Sequence, residues 1–158
     1  MHRLSILLFC LSGLAFTQSG YNHVYDYERI FSNQEINSLN LLYDNHEAKT
    51  TNQFALITVS DIGKAKDIQH YATQMGKKLG VGQKDKNNGL LIVFSKTLRK
   101  SAIATGLGTE KVITDSIAQY VINQEMIPHF KKGNYFQGVY QGSEWLITFL
   151  ERPENKIE

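Results

Sequence analysis

Two short runs, "QFALITVS" (residues 53–60) and "LLIVFS" (residues 90–95), constrain this chain more than any other feature. Each is a compact block of apolar and β-forming residues, without the strict polar alternation of a strand that keeps one face wet. Strands of that kind are buried on both faces, the condition of a parallel sheet. Between them, Ile68, Tyr71, Ala72, Met75 and Leu79 recur at helical spacing, and Gly80 stands where a helix stops. Strand, helix, strand in that order predicts a right-handed crossover unit.

The flanking segments extend the pattern. "SNQE" (residues 32–35) is a capping box, serine at the N-cap and glutamate three positions on. Ile36, Leu39, Leu42, Tyr43 and His46 then mark one helical face, ended by "TTN" (residues 50–52). Downstream, "KTLRK" (residues 96–100) is short enough for an antiparallel hairpin into residues 101–105, so the sheet is expected to be mixed. Ile113, Ile117, Ala118, Val121 and Ile122 predict a third helix closing before Pro128. Phe136, Val139, Tyr140, Ile147 and Leu150 predict a last one. The fold class is α/β, a small mixed sheet with helices on both faces.

Residues 1–17 read as a secretory signal peptide: a basic start, an apolar body over residues 4–16, and small or polar residues after it, with Ala15 three positions before the expected cut. The body is too short for a comfortable membrane span, which takes about 20 apolar residues. The single cysteine, Cys10, falls inside this leader, so the mature chain is expected to have no disulfide and no thiol chemistry. The rest is long enough for one domain with its own core. A formal charge of +2 gives no electrostatic footprint for nucleic acid. With no second apolar span, the expectation is a soluble monomer in the periplasm or secreted, without a stable membrane anchor after cleavage.

"ATGLGTEKVITD" (residues 104–115) poses the chemical question. A dinucleotide fingerprint fails because Gly106 and Gly108 lack the third glycine and Glu110 would face the pyrophosphate. No Gly-Lys-Ser/Thr exists for a phosphate loop. Two readings stay open: a strand-to-helix turn needing small residues, or backbone groups brought close to a ligand or another loop. Asp26, Asp61, Asp85, Glu110 and Asp115 all fall at expected element ends. An antiparallel final strand returns Glu110 to the side of the residue 81–89 loop. That groups Asp85, Asn87, Asn88, Glu110 and Asp115 more readily than Asp61, an oxygen-rich set suited to calcium or magnesium. Asp115 also suits a helix first turn on electrostatic grounds alone. The basic loops "KKLGVGQKDK" and "KTLRK" read as ordinary solvated surface.

Five segments, in order and in register, resemble the TPM domain family: "VYDYERIFSNQEI", "FALITVS", "KNNGLLIVFS", "ATGLGTEKVITD" and "MIPHFKKGNYFQGVYQG". The family includes a plant thylakoid acid phosphatase, a photosystem II repair factor, bacterial exported proteins and a nematode receptor modulator. The resemblance spans residues 24–150 and leaves residues 151–158 as a short polar tail. It implies a Rossmann-like three-layer α/β/α sandwich with an acidic pocket that binds calcium or another divalent cation in several members. By position, that pocket would use Asp26, Asn87 with Asn88, Glu110 and Asp115. The family's usual aspartate is Asn87 here, a lost charge that Asp85 or a backbone carbonyl would have to replace. The expectation is an exported module that binds a divalent cation, calcium before magnesium, and contacts an envelope protein whose identity is unknown. The alternatives are a metal-dependent acid phosphatase, for which no nucleophile stands out, and a metal-free assembly or repair factor.

Overall fold

The computed structural model describes residues 22–157. The expected signal peptide and Cys10 lie outside that range. Four strands, β1 (Val24–Asp26), β2 (Gln53–Thr58), β3 (Gly89–Ser95) and β4 (Lys100–Thr105), lie in the order β1-β2-β3-β4. The first three are parallel, and β4 returns antiparallel to β3 with Leu90 opposite Thr105 and Ser95 opposite Lys100.

The two apolar runs are the central strands, and the period of two divides them between two cores. Phe54 and Leu56 of β2 with Leu90 and Ile92 of β3 point to one face, covered by α1 (Asn33–Thr50) and the C-terminal helices. Ala55, Ile57, Leu91 and Val93 point to the other, covered by α2 (Ile68–Leu79). Since α1 and α2 connect successive parallel strands from opposite faces, the two crossovers have opposite hands, an exception to the usual right-handed connection.

Local signals set the helix ends. Ser32 Oγ accepts from Glu35 N at 3.3 Å while the Glu35 carboxylate accepts from Ser32 N at 2.8 Å, the full capping box. Asp67 caps α2 by accepting from His70 N at 2.8 Å, and Gly80 ends it in the left-handed region at φ 65°.

Beyond β4 come α3 (Leu107–Glu110), α4 (Asp115–Val121), a π-helical turn (Ile122–Met126), α5 (Ile127–Phe130) and α6 (Tyr135–Leu150). The third helix closes before Pro128 as expected, at Val121, and the proline falls in the first turn of α5. A proline interrupts an α-helix because it lacks the N–H owed to the carbonyl four residues back. The wider π turn, closed by Ile127 N–H on Ile122 O, ends one helix and starts another, so Pro128 falls in a first turn where that N–H is not needed.

The expected polar tail is also more than that. Asn155 Nδ2 donates to Phe149 O at 2.9 Å within a 3-10 turn, Pro153–Asn155, and Ile157 is buried against the α1/α6 core. Among the described residues no helix is long and apolar enough to cross a membrane.

One buried polar pair fastens α1 to α6. Tyr43 Oη and Ser143 Oγ lie 2.8 Å apart, both residues fully buried, and burial raises the phenol's pKa well above its ordinary range. Removing either partner orphans the other, at about 1–3 kcal/mol. Urea unfolding should therefore show Tyr43→Phe and Ser143→Ala each destabilising. The double variant should cost clearly less than the sum, and strict additivity would exclude the coupling.

Candidate functional site

The antiparallel return of β4 places the loop before β3 and the turn after β4 at one end of the sheet. The two are joined backbone to backbone. Gly106 N donates to Gly89 O at 2.9 Å, and Gly108 N to Asn87 O at 3.0 Å. A Cβ on Gly106 would stand 2.2 Å from Asn87 O, and one on Gly108 2.1 Å from Lys86 O. Of the two readings of "GLG", close approach to another loop is the one realised. These N–H groups are spent on protein carbonyls, so they form no phosphate cradle.

Asn88 holds the same junction from inside. It is 1% exposed, its Oδ1 accepts from Gln83 N at 2.8 Å, and its Nδ2 donates to Thr51 O at 2.9 Å. Gln53 adds a second tie, its Oε1 accepting from Gly82 N at 2.7 Å and its Nε2 donating to Glu47 Oε1 at 2.8 Å. Asn87 sits in the left-handed region at φ 50°, which asparagine tolerates, and contributes its backbone to the loop contact.

The expectation of one pocket holding all six candidate residues needs correction. Asp26 pairs in register with Thr58 at the far end of β2, whereas Gly89 pairs with Gln53 at the near end. Five residue steps of strand separate them, roughly 16 Å. The Asp26 carboxylate is also engaged, accepting from Thr58 Oγ1 at 2.5 Å and from Phe31 N at 2.9 Å. Asn88 is engaged as described. Asp85, Glu110 and Asp115 remain at the loop end, exposed, with no side-chain hydrogen bond or ion pair among the described residues. Among those residues no three His, Cys, Asp or Glu side chains form a group able to hold a metal ion. The other loop carboxylates serve the backbone: Asp61 Oδ1 accepts from Gly63 N at 2.7 Å, and Glu28 accepts from Lys96 N at 2.9 Å and Thr97 N at 3.0 Å.

What sequence reasoning missed at this end is positive charge. A hollow of about 410 Å³ is bounded by Asp85 but also by Lys86, Lys111 and Lys156. It adjoins a cleft of about 500 Å³ between the C-terminal segment and the end of α1, bounded by Lys49, Thr51, Asn52, Lys86, Arg152 and Lys156. The carboxylate of that cleft, Glu151, accepts from His46 Nδ1 at 3.0 Å and lies 3.8 Å from Lys49 Nζ. Burial holds the His46 pKa below its ordinary value against the opposing pull of Glu151. These cations come from four separate stretches of chain, around residues 49, 86, 111 and 152–156, so no single stretch of sequence shows them together.

Comparison with known proteins places this geometry in a family. A family model described as the TPM domain matches residues 24–149. No curated protein matches the chain. The N-terminal domain of a P. gingivalis protein, solved by NMR, superposes with a TM-score of 0.77 at 28% identity, covering 87% of each chain. The N-terminal domain of the cg2496 protein from Corynebacterium glutamicum shares the fold at TM-score 0.64 and 15% identity, over 92% of this chain and 86% of that one. So does the BA42 protein of the psychrophilic bacterium Bizionia argentinensis, at TM-score 0.67 and 20% identity over 78% and 83%. With the family model covering well over half of the sequence, and the parallel strands, hairpin and glycine turn in their expected order, the chain belongs to the TPM domain family.

Proposed function

We propose that this TPM domain acts by binding: an exported accessory module of the cell envelope that engages another protein and takes a divalent cation on its loop end. The reading rests on one observation, the division of labour among the loop carboxylates. Asp26, Glu28, Asp61 and Asp67 are spent on protein hydrogen bonds, whereas Asp85, Glu110 and Asp115 are not. Asp85 stands on the loop and Glu110 at the end of α3, two segments joined by the backbone contacts of Gly106 and Gly108, and Asp115 begins α4, so little ordering is required when a ligand arrives.

Calcium is preferred over magnesium because a rim of separate carboxylates, backbone carbonyls and water suits its flexible coordination better than a strict octahedron. Affinity is set low by the small donor set and by Lys86, Lys111 and Lys156 around the neighbouring hollow. A Kd of about 10⁻⁴–10⁻³ M, the range of extracellular calcium modules, is expected. At ten times Kd the ligand adds about 1.4 kcal/mol of stability. The chelator-stripped mature protein should then melt roughly 3–6 °C higher in calcium. Glu110→Ala with Asp115→Ala should abolish that rise and leave the metal-free melting temperature nearly unchanged. A rise that survives the double variant, or none in the parent protein, removes the cation from the reading.

A further inference from the structure

The cationic cleft is not used by the cation-binding rim, and its chemistry points the opposite way. We infer that the cleft between the C-terminal segment and the end of α1 is a docking groove for an extended acidic peptide segment of a partner protein. The inference deepens the binding-module reading by naming the chemistry of the partner, and it is independent of any metal at Glu110 and Asp115.

Charge is the first support. The cleft and the adjoining hollow share Lys86, Lys156 and Ile157, which makes them two ends of one elongated depression. Together they bring Lys49, Lys86, Lys111, Arg152 and Lys156 against the two carboxylates Asp85 and Glu151. Glu151 is already committed to His46 and Lys49. The whole chain carries a formal charge of only +2, so this is a local concentration of positive charge and not a generally basic surface. Such a depression attracts and orients an anionic partner before contact.

Asn52 selects among anions. It lines the cleft at 3% exposure, and its side-chain oxygen has no hydrogen-bond partner. An acceptor of this kind calls for a donor, and a buried one left unfilled is costly. The phosphodiester group itself has no N–H or O–H to give, and a phosphatidylglycerol headgroup offers only its two terminal hydroxyls, with no repeat along a groove. An extended peptide presents an N–H at each residue, about 3.3 Å apart, together with carboxylate side chains for the lysines. Exposed Pro153, over the buried Leu150 and Ile157, adds apolar surface that suits the aliphatic stems of Glu and Asp. Elongation, positive charge and an unfilled neutral acceptor together fit an acidic peptide better than a lipid surface.

The test is fluorescence anisotropy of the full mature protein with a dye-labelled eight-residue peptide alternating Glu and Gly, in 50 mM and 300 mM salt. Saturable binding that weakens with salt is expected, with no binding of the matching Lys/Gly peptide. Lys86→Glu with Lys156→Glu should weaken binding at least tenfold. Lys49→Glu, on the exposed side of α1, should weaken it severalfold without touching either loop, and so stands in if the pair fails to fold. Lys131→Glu with Lys132→Glu, exposed and outside the cleft, should leave affinity unchanged. Equal losses from the two reversals would mean general electrostatics and overturn the groove. Binding to phosphatidylglycerol vesicles without binding to the peptide would overturn it in favour of a membrane surface. Calcium stabilisation is read separately, so failure of one reading leaves the other distinguishable.

Discussion

Gly89→Ala is expected to destabilise the domain by about 3 kcal/mol or more and to lower its melting temperature by roughly 10 °C, although it adds a single methyl group. A Cβ at this position would lie 2.1 Å from Val81 O, 2.5 Å from Val81 C and 2.9 Å from Gly82 N. All three are backbone atoms, so no side chain can rotate away. The strand cannot yield, because Gly89 is in register with Gln53 and its carbonyl accepts from Gly106 N. The loop cannot yield cheaply either: Val81 N is bonded to Gly76 O at 3.1 Å and Gly82 N to Gln53 Oε1 at 2.7 Å. Gly63 supplies the control. It has φ 57° with nothing within 4 Å of its missing Cβ, so Gly63→Ala pays only the left-handed backbone cost, about 1 kcal/mol. Thermal and urea unfolding of the two variants side by side checks the comparison. Equal effects would show that the loop does not lie against the start of β3.

The same residues explain what was legible in the sequence. The central strands and the crossover helix were readable because their information is local: continuous apolar runs, one amphipathic period, and a glycine at the stop. β1 was not, because three residues carry no period and its place depends on distant partners. His23 Nδ1 lies 2.8 Å from Phe54 O and its Nε2 3.0 Å from Asp44 Oδ1, while Asp26 meets Thr58. Without β1 in the sheet, Asp26 had no register, and family position alone grouped it with residues at the opposite end. The π turn that joins α4 to α5 ahead of Pro128 was not legible for a related reason. A π turn leaves no composition signal, whereas the proline that opens α5 leaves a strong one.

The site was half legible. That residues 81–89 and the "GLGTE" turn meet followed from an antiparallel hairpin, and the register bears out that topology. That the meeting is made by backbone, with Asn88 inside it, needed coordinates, since an asparagine beside a glycine reads equally well as a ligand or as a turn. The cationic cleft was illegible because Lys49, Lys86 and Arg152 with Lys156 lie on three stretches, and only burial of Ile157 folds the last of them over α1.

Asn88 separates the structural from the ligand role most sharply. If it belonged to a calcium site, Asn88→Asp would add a charged ligand and strengthen binding. In the geometry found here the same change is damaging. Nδ2 of Asn88 donates to Thr51 O at 2.9 Å, and an introduced carboxylate oxygen can only repel that carbonyl. The position is 1% exposed, and an uncompensated charge there is costly. Asn88→Asp is expected to lose about 3–5 kcal/mol at pH 7, at least as much as Asn88→Ala, whose cost comes from orphaning Gln83 N–H and Thr51 O. The pH dependence has a defined sign. Burial and repulsion raise the introduced carboxyl's folded pKa above the unfolded value of about 3.9, so the folded state binds the extra proton. The penalty relative to the parent is then smallest below about pH 4, where a protonated carboxyl can donate to Thr51 O, and grows as pH rises toward the folded pKa. Asn87→Asp, on the exposed neighbour, should change stability by no more than about 0.5 kcal/mol, because aspartate also tolerates the left-handed region. Urea unfolding from pH 4 to 7, with and without calcium, distinguishes the roles. If calcium restores the Asn88→Asp variant to parental stability, Asn88 is a ligand; if the loss persists in calcium and shrinks only on acidification, it is the bolt that fixes the loop to the end of α1.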